Sequence, residues 1–173
     1  MIPPIAMTPA MDALWLGLRL LLLLTLANFS PIVARRYLRE RWAAPLDGGL
    51  RCRDGRPLLG PSKTWRGLIV AVAVSALGAP LLGFPWQAGA LAGAAAMAGD
   101  ALASFIKRRR GLASSARAFV LDQLPESLLP LWALQLPLQL PISQVLGVCL
   151  AFVLLEPPVA KLAHRWGWRE QPY

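Results

Sequence analysis

Histidine and cysteine are scarce in this sequence, which contains one histidine and two cysteines among 173 residues. Cys52 and Cys149 lie far apart and fit no metal-ligand pattern, so we expect free thiols and neither a disulfide nor a zinc site. His164 has no histidine or cysteine partner, and we expect an interfacial side chain at a helix end. No Ser-His-Asp, Cys-His or His-Glu-x-x-His set exists, so covalent acyl transfer and peptide hydrolysis lack their usual residues.

Acidic residues are also few, with nine Asp and Glu against 18 Lys and Arg. The chain is 56% hydrophobic and its mean hydropathy is +0.50, whereas soluble domains are about 45–50% apolar. The apolar residues form long runs, which indicates an integral membrane protein. The only long polar stretch, 37–65, is rich in Gly, Pro and Arg. We interpret it as a loop and not as a separate domain. Residues 1–173 are therefore expected to form a single membrane-embedded domain, whose partner is the bilayer and not a nucleic acid.

Five apolar runs predict an all-α bundle of about five transmembrane helices. The runs cover approximately residues 14–34, 67–82, 87–106, 118–136 and 142–163. Prolines within them are compatible with membrane helices when neighbouring helices satisfy the freed carbonyls. The first run has no basic segment before it and is followed by Arg35 and Arg36, which favours a retained anchor over a cleaved signal peptide.

Basic residues predict the orientation of these helices. They follow the first run, precede the second, separate the third from the fourth and follow the fifth, whereas the other two turns contain no Lys or Arg. The positive-inside rule therefore predicts an external N-terminus and a cytoplasmic C-terminus, in a multi-pass protein of the cell membrane. Arg19 is the exception because it lies within the first run, where pairing inside the bundle and snorkelling outward both remain open.

Asp100 is an acidic residue within an apolar run, and such a residue is costly at membrane depth. Asp100, Ser104 and Lys107 are spaced i, i+4, i+7 and share one helical face. The lysine lies about 10 Å from the aspartate along the helix axis, a separation suited to a metal at one end and a polyphosphate reaching the other. The alternative is a helix–helix hydrogen bond beside an ordinary basic stop signal.

A second polar group, residues 59–67, reads Leu-Gly-Pro-Ser-Lys-Thr-Trp-Arg-Gly and leads into the second run. Exposed backbone N–H groups at a helix start, with Lys63 and Arg66 nearby, would suit a phosphate. It is not a Walker loop, because no glycine precedes Lys63 and Pro61 removes a donor. A juxtamembrane loop with Trp65 as interfacial anchor explains the same residues equally well.

A third group opens the fourth run with Asp122, Gln123 and, four residues after Asp122, Glu126. The two acids would repel on one helix face unless a cation lies between them or one is protonated. Asp100 and Asp122 belong to adjacent antiparallel runs, so both can face a shared site. Carboxylate oxygens near phosphates point to Mg²⁺, as one or two cations. A metal ion, basic side chains and a phosphate-binding loop are the features that enzymes of phosphoryl or nucleotidyl transfer use.

Three further polar residues are weaker candidates. Asn28 could bind a substrate or hydrogen-bond a neighbouring helix, and Asp47 could bind a substrate or serve as a turn residue. Glu156 precedes two prolines in the fifth run and could pair with a basic residue.

At these residues the sequence resembles the CDP-archaeol synthase family and, more distantly, the phosphatidate cytidylyltransferases. The resemblance rests on ordered motifs that span residues 28–123: Ala27-Asn28 with Pro31, Pro45-Leu46-Asp47-Gly48-Gly49, residues 59–67, Gly99-Asp100 through Ser104 to Lys107-Arg108-Arg109, and Leu121-Asp122-Gln123. It implies a membrane enzyme that transfers CMP from CTP to a lipid phosphate, an ether or ester lipid, and releases pyrophosphate for phospholipid biosynthesis.

The resemblance also implies roles for the candidate residues. It makes Asp100 and Asp122 the Mg²⁺ ligands and, with Lys63 and Lys107, the catalytic residues. The substrate-binding residues it implies are Asn28, Asp47, Gly60, Ser62, Thr64, Arg66, Ser104, Arg108 and Gln123. The anionic lipid phosphate attacks without a catalytic base, and the active site faces the cytoplasm, where CTP is present.

Two other functions remain compatible with the sequence. A small transporter or ion-conducting bundle would use Asp100, Asp122 and Glu126 as a relay, but it does not explain the basic motifs on one side. A non-catalytic lipid-binding subunit explains the basic loops through anionic lipids but not the buried acids. The sequence does not set the lipid tails or the oligomeric state, and a homo-oligomer is compatible with it.

Overall fold

The computed structural model describes residues 8–112 and 119–166. Within these ranges the chain forms five α-helices and no β-strand. The helices are α1 (Pro9–Leu38), α2 (Trp65–Gly78), α3 (Trp86–Arg109), α4 (Phe119–Gln135) and α5 (Ile142–Arg165). The all-helical prediction is confirmed, and each apolar run coincides with one helix. The second run also includes a separate 3₁₀ turn, Pro80–Leu82, and residue 118, the predicted start of the fourth run, lies outside the described residues.

Three stretches in the described ranges are long and apolar enough to cross a membrane. They are α1, α3 and the part of α5 from Ile142 to Leu162. The other two helices are shorter, with 14 residues in α2 and 17 in α4. At 1.5 Å per residue, α2 is about 21 Å long, less than the roughly 30 Å hydrocarbon core. The structure therefore has the character of a membrane helix bundle whose helices differ in length.

Helix α3 lies at the centre of the bundle, against α2 on one side and α4 on the other. Glycines let the backbones approach closely. A Cβ atom on Gly93 would lie 2.6 Å from the carbonyl oxygen of Ala71 in α2, and one on Gly99 would overlap the carbonyl of Pro125 in α4. Close backbone contact through small residues is how membrane helices commonly associate. The glycines thus fix α3 against both neighbours, and Gly99 directly precedes Asp100.

The apolar core lies towards the end of the bundle that carries the α2–α3 and α4–α5 turns. Its fully buried members include Leu23 and Leu24 of α1, Leu131 and Leu134 of α4, and Val145 of α5. The buried charged side chains instead collect at the opposite end, near the α1–α2 loop and the C-terminal end of α3. This segregation puts the candidate polar residues at one end of the bundle.

Arg19 pairs inside the bundle, which selects one of the two possibilities left by the sequence. Its Nη1 atom donates to the carbonyl oxygen of Leu82 at 3.5 Å, and its guanidinium lies 5.4 Å from the centre of the Phe84 ring. The cation therefore stabilises the turn between α2 and α3.

Candidate active site

Lys63 and Asp100 form the central ion pair of the polar end. Lys63 lies one residue before Thr64, the N-cap of α2, and its Nζ donates to both carboxylate oxygens of Asp100, at 2.6 and 2.5 Å. The two side chains remain 16% and 26% exposed, so a ligand can reach the pair. This arrangement accounts for the carboxylate within α3, because a charge at this depth requires a partner.

A second ion pair joins α3 to α4, where Lys107 Nζ lies 2.5 Å from Asp122 Oδ1. Lys107 also interacts electrostatically with Asp100, and the Glu126 side chain hydrogen-bonds to Asp100. Asp122 and Glu126 are thus both turned towards α3 but have different partners there. The structure brings together Asp100, Lys63, Lys107 and Asp122, and it adds Glu126 as the carboxyl group in contact with Asp100. Their predicted catalytic and metal-binding roles stay predictions.

Asp47 anchors the loop between α1 and α2. Its carboxylate accepts hydrogen bonds from the backbone N–H groups of Gly49, Leu59 and Gly60, at 3.0, 2.9 and 3.1 Å. Burial alone would raise the pKa of Asp47, but these donors outweigh it and hold the pKa below its ordinary value. The residue therefore ties the two ends of the loop together, and its predicted role in substrate binding stays a prediction.

Arg108 lies buried beside Gly60. Its side chain is 7% exposed, and its Nε atom has no hydrogen-bond partner among the described residues. Gly60 has a φ of +97°, and a Cβ atom there would lie 3.9 Å from Arg108 Nη1. Glycine at this position lets the loop adopt this left-handed conformation beside the guanidinium. A buried cation with an unused donor facing a glycine loop is suited to an anion.

Arg66 and Thr64 make local structural contacts. Arg66 Nη1 donates to the carbonyl oxygens of Arg39 and Arg41, at 2.5 and 2.8 Å, where α1 ends. Thr64 caps α2 by accepting a hydrogen bond from Gly67 N–H at 3.2 Å. Their predicted contacts with substrate are therefore secondary to these roles and stay predictions.

The remaining predicted substrate-binding residues are spread around this centre. Asn28 Nδ2 donates to Leu24 O within α1, at 3.0 Å. Gln123 is buried and donates to Glu156 Oε2 at 2.6 Å, while its Oε1 has no partner in the described part of the chain. Ser104 is buried one turn after Asp100, and Ser62 is exposed in the loop. Gln123 and Ser104 lie near the ion pairs in sequence, whereas Asn28 is engaged with its own helix.

Comparison with known proteins identifies the family. The family model described as "CarS-like: CDP-archaeol synthase" matches residues 82–173, which is more than half of the chain. The chain belongs to the CDP-archaeol synthase family.

Individual relatives support this assignment. A CDP-archaeol synthase of Hyperthermus butylicus is 44% identical over 107 residues, covering 57% of this chain and 59% of that protein. The CDP-archaeol synthase of Sulfolobus acidocaldarius is 35% identical over 135 residues, covering 75% and 83%. A solved structure described as an intramembrane enzyme for archaeal membrane lipids biosynthesis is 29% identical, with a TM-score of 0.69, covering 80% of this chain and 89% of that one. The chain thus matches about three fifths of the length of the Hyperthermus butylicus protein, and most of the Sulfolobus acidocaldarius protein and of the solved structure, which supports a membrane-embedded member of this family.

The carboxyl groups fit a magnesium ion that is held partly by its substrate. In the described ranges, no three His, Cys, Asp or Glu side chains are arranged to hold a metal. Mg²⁺ in nucleotide enzymes usually takes one or two carboxylates and completes its shell with substrate phosphates and water. Asp100, Asp122 and Glu126 on the facing sides of α3 and α4 can supply those carboxylates.

Three residues in or next to the site are not among the site residues that the sequence predicts. The i, i+4 spacing marked Glu126 as a neighbour of Asp122, but periodicity does not reveal a contact with Asp100 on another helix. Arg109 and Asp54, whose Nη1 and Oδ1 atoms lie 2.8 Å apart, are 55 residues apart in sequence. No sequence signal links them.

Asp47→Asn should loosen the loop, because asparagine has one acceptor oxygen and presents NH₂ to backbone donors. We expect a loss of about 1–3 kcal/mol in the free energy of unfolding, measured by thermal unfolding in detergent. Because the folded pKa of Asp47 is lowered, the difference from wild type is complete above its unfolded pKa and disappears as pH falls through the folded pKa. A difference that grows on acidification would contradict the anchoring role.

Proposed function

We propose that this chain transfers CMP from CTP to the phosphate of a membrane lipid and releases pyrophosphate. The observation that carries the proposal is the convergence of two lysine–carboxylate pairs, Lys63–Asp100 and Lys107–Asp122, beside the buried Arg108. Two carboxylates with several cations match a substrate that is a polyphosphate bound with a metal ion. A transporter relay would not need a buried arginine against a glycine loop.

The reaction needs no general base. The lipid phosphate is an anion at neutral pH, so one of its oxygens attacks the α-phosphorus of CTP while the bond to the departing pyrophosphate breaks. Lys63 and Lys107 would offset the charge that develops on the phosphates, and Arg108 would bind the leaving pyrophosphate. Backbone groups of the Gly60 loop complete this anion site. Each cation already lies next to the region in which the phosphates would bind.

We propose Mg²⁺ as the cofactor, held by Asp100 and Asp122 with Glu126 adjacent. When bound, Mg²⁺ would supply positive charge that stabilises the negative charge of the phosphates. The chain's own part is to hold these carboxylates in place, through Lys63 for Asp100 and Lys107 for Asp122.

We further propose that all five helices span the cell membrane, α2 together with the 3₁₀ turn Pro80–Leu82 that follows it, with the N-terminus outside and the active site facing the cytoplasm. The placement of the basic residues supports this orientation, since the polar end of the bundle holds Lys63, Lys107 and Arg108 and the opposite turns contain no Lys or Arg. CTP would enter from the cytoplasm and the lipid phosphate from the membrane.

An apolar groove between α1 and α2 would hold a hydrocarbon chain of the lipid. It measures about 350 Å³ and its lining includes Phe29, Val33, Val70 and Val74. Ser30 also lines it, and the buried Oγ of Ser30 has no hydrogen-bond partner among the described residues. Val70 lies in the second turn of α2, whose N-cap Thr64 directly follows Lys63. A chain lying in this groove would therefore leave its phosphate end near Lys63, and Ser30 could donate to a glycerol oxygen.

Val70→Trp should block this groove without touching the ion pairs. We expect the KM for a long-chain lipid phosphate to rise about tenfold, which corresponds to about 1.4 kcal/mol of lost contact, with kcat and the KM for CTP unchanged. A short-chain lipid phosphate should be used equally well by both proteins. Ile69→Trp is the matched control, because Ile69 is adjacent on α2 but 62% exposed. An equal effect from the control would mean that the groove does not hold the lipid.

The proposed activity is tested by supplying purified protein with Mg²⁺, radiolabelled CTP and a panel of ether and ester lipid phosphates. Formation of a CDP-lipid with stoichiometric pyrophosphate is the expected result. Absence of product with every acceptor, while CTP fails to bind, would reject the proposal. Omission of Mg²⁺ should abolish product formation, and unchanged turnover without a divalent cation would remove the metal from the mechanism.

A further inference from the structure

The loop between α1 and α2 contains a short hairpin, residues 50–58, which we name the strap. Leu58 N–H donates to Leu50 O at 2.8 Å, and Cys52 N–H donates to Arg56 O at 2.9 Å. The base of the strap is fixed through Asp47, which accepts from Leu59 and Gly60 N–H. The strap is therefore a defined element whose end leads directly into Gly60.

The tip of the strap is fastened to the C-terminal end of α3 by reciprocal arginine contacts. Arg109 Nη1 donates to Asp54 Oδ1 at 2.8 Å, and Arg109 Nη2 donates to Pro57 O at 2.6 Å. In return, Arg56 Nη1 donates to Arg109 O at 2.8 Å. The Arg109 guanidinium also lies 5.3 Å from the centre of the Phe105 ring. These contacts join two segments that are otherwise more than forty residues apart in sequence.

Fastening the strap to α3 also links the loop segment that carries Gly60 to the helix end that carries Arg108. Gly60 follows the strap and lies against the Arg108 guanidinium, while Arg108 directly precedes Arg109. When Arg109 holds the strap, both sides of the proposed anion site are held together. When the strap is released, Gly60 keeps its hydrogen bond to Asp47 of the same loop, but this part of the loop can move away from Arg108 and the site opens at this edge.

We infer that Arg109 and Asp54 are positioning residues for the nucleotide, which hold the strap closed over the phosphate site and release it for nucleotide exchange. The Asp54 and Arg109 side chains are 42% and 25% exposed, and exposed ion pairs are weak enough to break readily. Because only the closed form presents Gly60 and Arg108 together, a smaller closed fraction weakens apparent nucleotide affinity by that factor. The inference rests on the proposed function, since it names a step in nucleotide binding at that site.

Cys52 provides a native reporter of strap opening. The chain has two cysteines, of which Cys149 is buried in α5 and Cys52 is half-buried within the strap. The test compares the rate of maleimide labelling at Cys52 in full-length wild-type protein, Arg109→Gln and Asp54→Asn. CTP is added without any lipid acceptor, so that labelling needs no turnover. Cys52→Ser protein confirms where the label attaches.

We expect Arg109→Gln and Asp54→Asn each to raise the labelling rate about threefold and the KM for CTP about twofold. The labelling rate follows the open fraction of the strap, whereas the KM for CTP follows the inverse of the closed fraction. The values of kcat and of the KM for the lipid phosphate should stay unchanged. CTP should slow labelling of the wild-type protein. Arg53→Gln removes a charge from the same strap at an exposed position and should match wild type.

Two outcomes would overturn the inference. One is an unchanged Cys52 labelling rate in both variants, and the other is an equal rise in the KM values for CTP and lipid phosphate, which would indicate general loosening. Asp54→Asn keeps the test valid if Arg109→Gln fails to fold, because Asp54 is exposed. If wild-type protein makes no CDP-lipid, the proposed function fails, whatever the labelling rates are.

Discussion

Asp100→Asn is expected to lower CDP-lipid formation about 1,000-fold, at the upper end of what removing one charge-stabilising group costs. The substitution preserves shape but removes the charge that pairs with Lys63 and, in the proposed mechanism, holds Mg²⁺. Initial rates at saturating CTP and lipid phosphate measure the change. Because loss of one partner from a semi-buried ion pair also destabilises a protein, thermal unfolding of the variant must be measured at the same time.

Asp12→Asn is the matched control, since Asp12 lies exposed in the first turn of α1. It should retain wild-type turnover. A direct readout of the metal does not depend on turnover. Mn²⁺ binding followed by electron paramagnetic resonance, with CTP present, should weaken in Asp100→Asn protein and not in Asp12→Asn protein. Full activity in folded Asp100→Asn protein would remove Asp100 from the catalytic mechanism.

Gly99→Ala is the second substitution with a large expected effect. The added methyl group would overlap the carbonyl of Pro125 and come within 2.9 Å of Glu126 N. Relief requires α3 and α4 to separate, and overpacking of this kind costs about 1–3 kcal/mol or more. The shift would also move Glu126 away from Asp100. We therefore expect a lower melting temperature in detergent and reduced turnover even at temperatures at which the protein stays folded.

Gly147→Ala gives a sharp comparison, because Gly147 is also within a helix but a Cβ there would meet no atom within 4 Å. Removing a helical glycine without a clash should raise the free energy of unfolding by about 0.5–1 kcal/mol. Opposite signs for the two substitutions would support backbone contact as the origin of the effect. Equal melting temperatures for Gly99→Ala and wild-type protein would show that α3 and α4 are not in such close contact.

The helices were predictable because apolar runs bounded by basic residues, prolines and turns leave few alternatives. Asp100 was also identifiable, since a carboxylate within an apolar run is rare, and Lys63 and Lys107 were identifiable through the motifs in which they lie. It was harder to predict which side chains contact each other across two helices. Helical periodicity shows which side chains share a face of one helix, but the contact of Glu126 with Asp100 depends on how α4 packs on α3.

Two polar residues show a different limit of sequence reasoning. Asp47 and Arg66 both carry charges that suit a phosphate or metal site, yet in the structure they bind backbone groups of the α1–α2 loop and of the end of α1. Every residue type presents a backbone C=O group, and all except proline present an N–H group, so the sequence does not show which backbone groups need a side-chain partner. This becomes visible only when the path of the loop is known.

The glycine contacts of α3 have a consequence for conformational entropy. Glycine and alanine lose almost no side-chain entropy when buried, whereas an immobilised lysine or arginine loses roughly 1.5–2 kcal/mol. Helices α2, α3 and α4 therefore join without freezing long side chains at their contacts. The rotamer freedom of this region is concentrated in the cations at its polar end. Asp100 and Asp122 order the Lys63 and Lys107 side chains before any substrate binds. Binding of a polyphosphate by these lysines therefore costs less side-chain entropy.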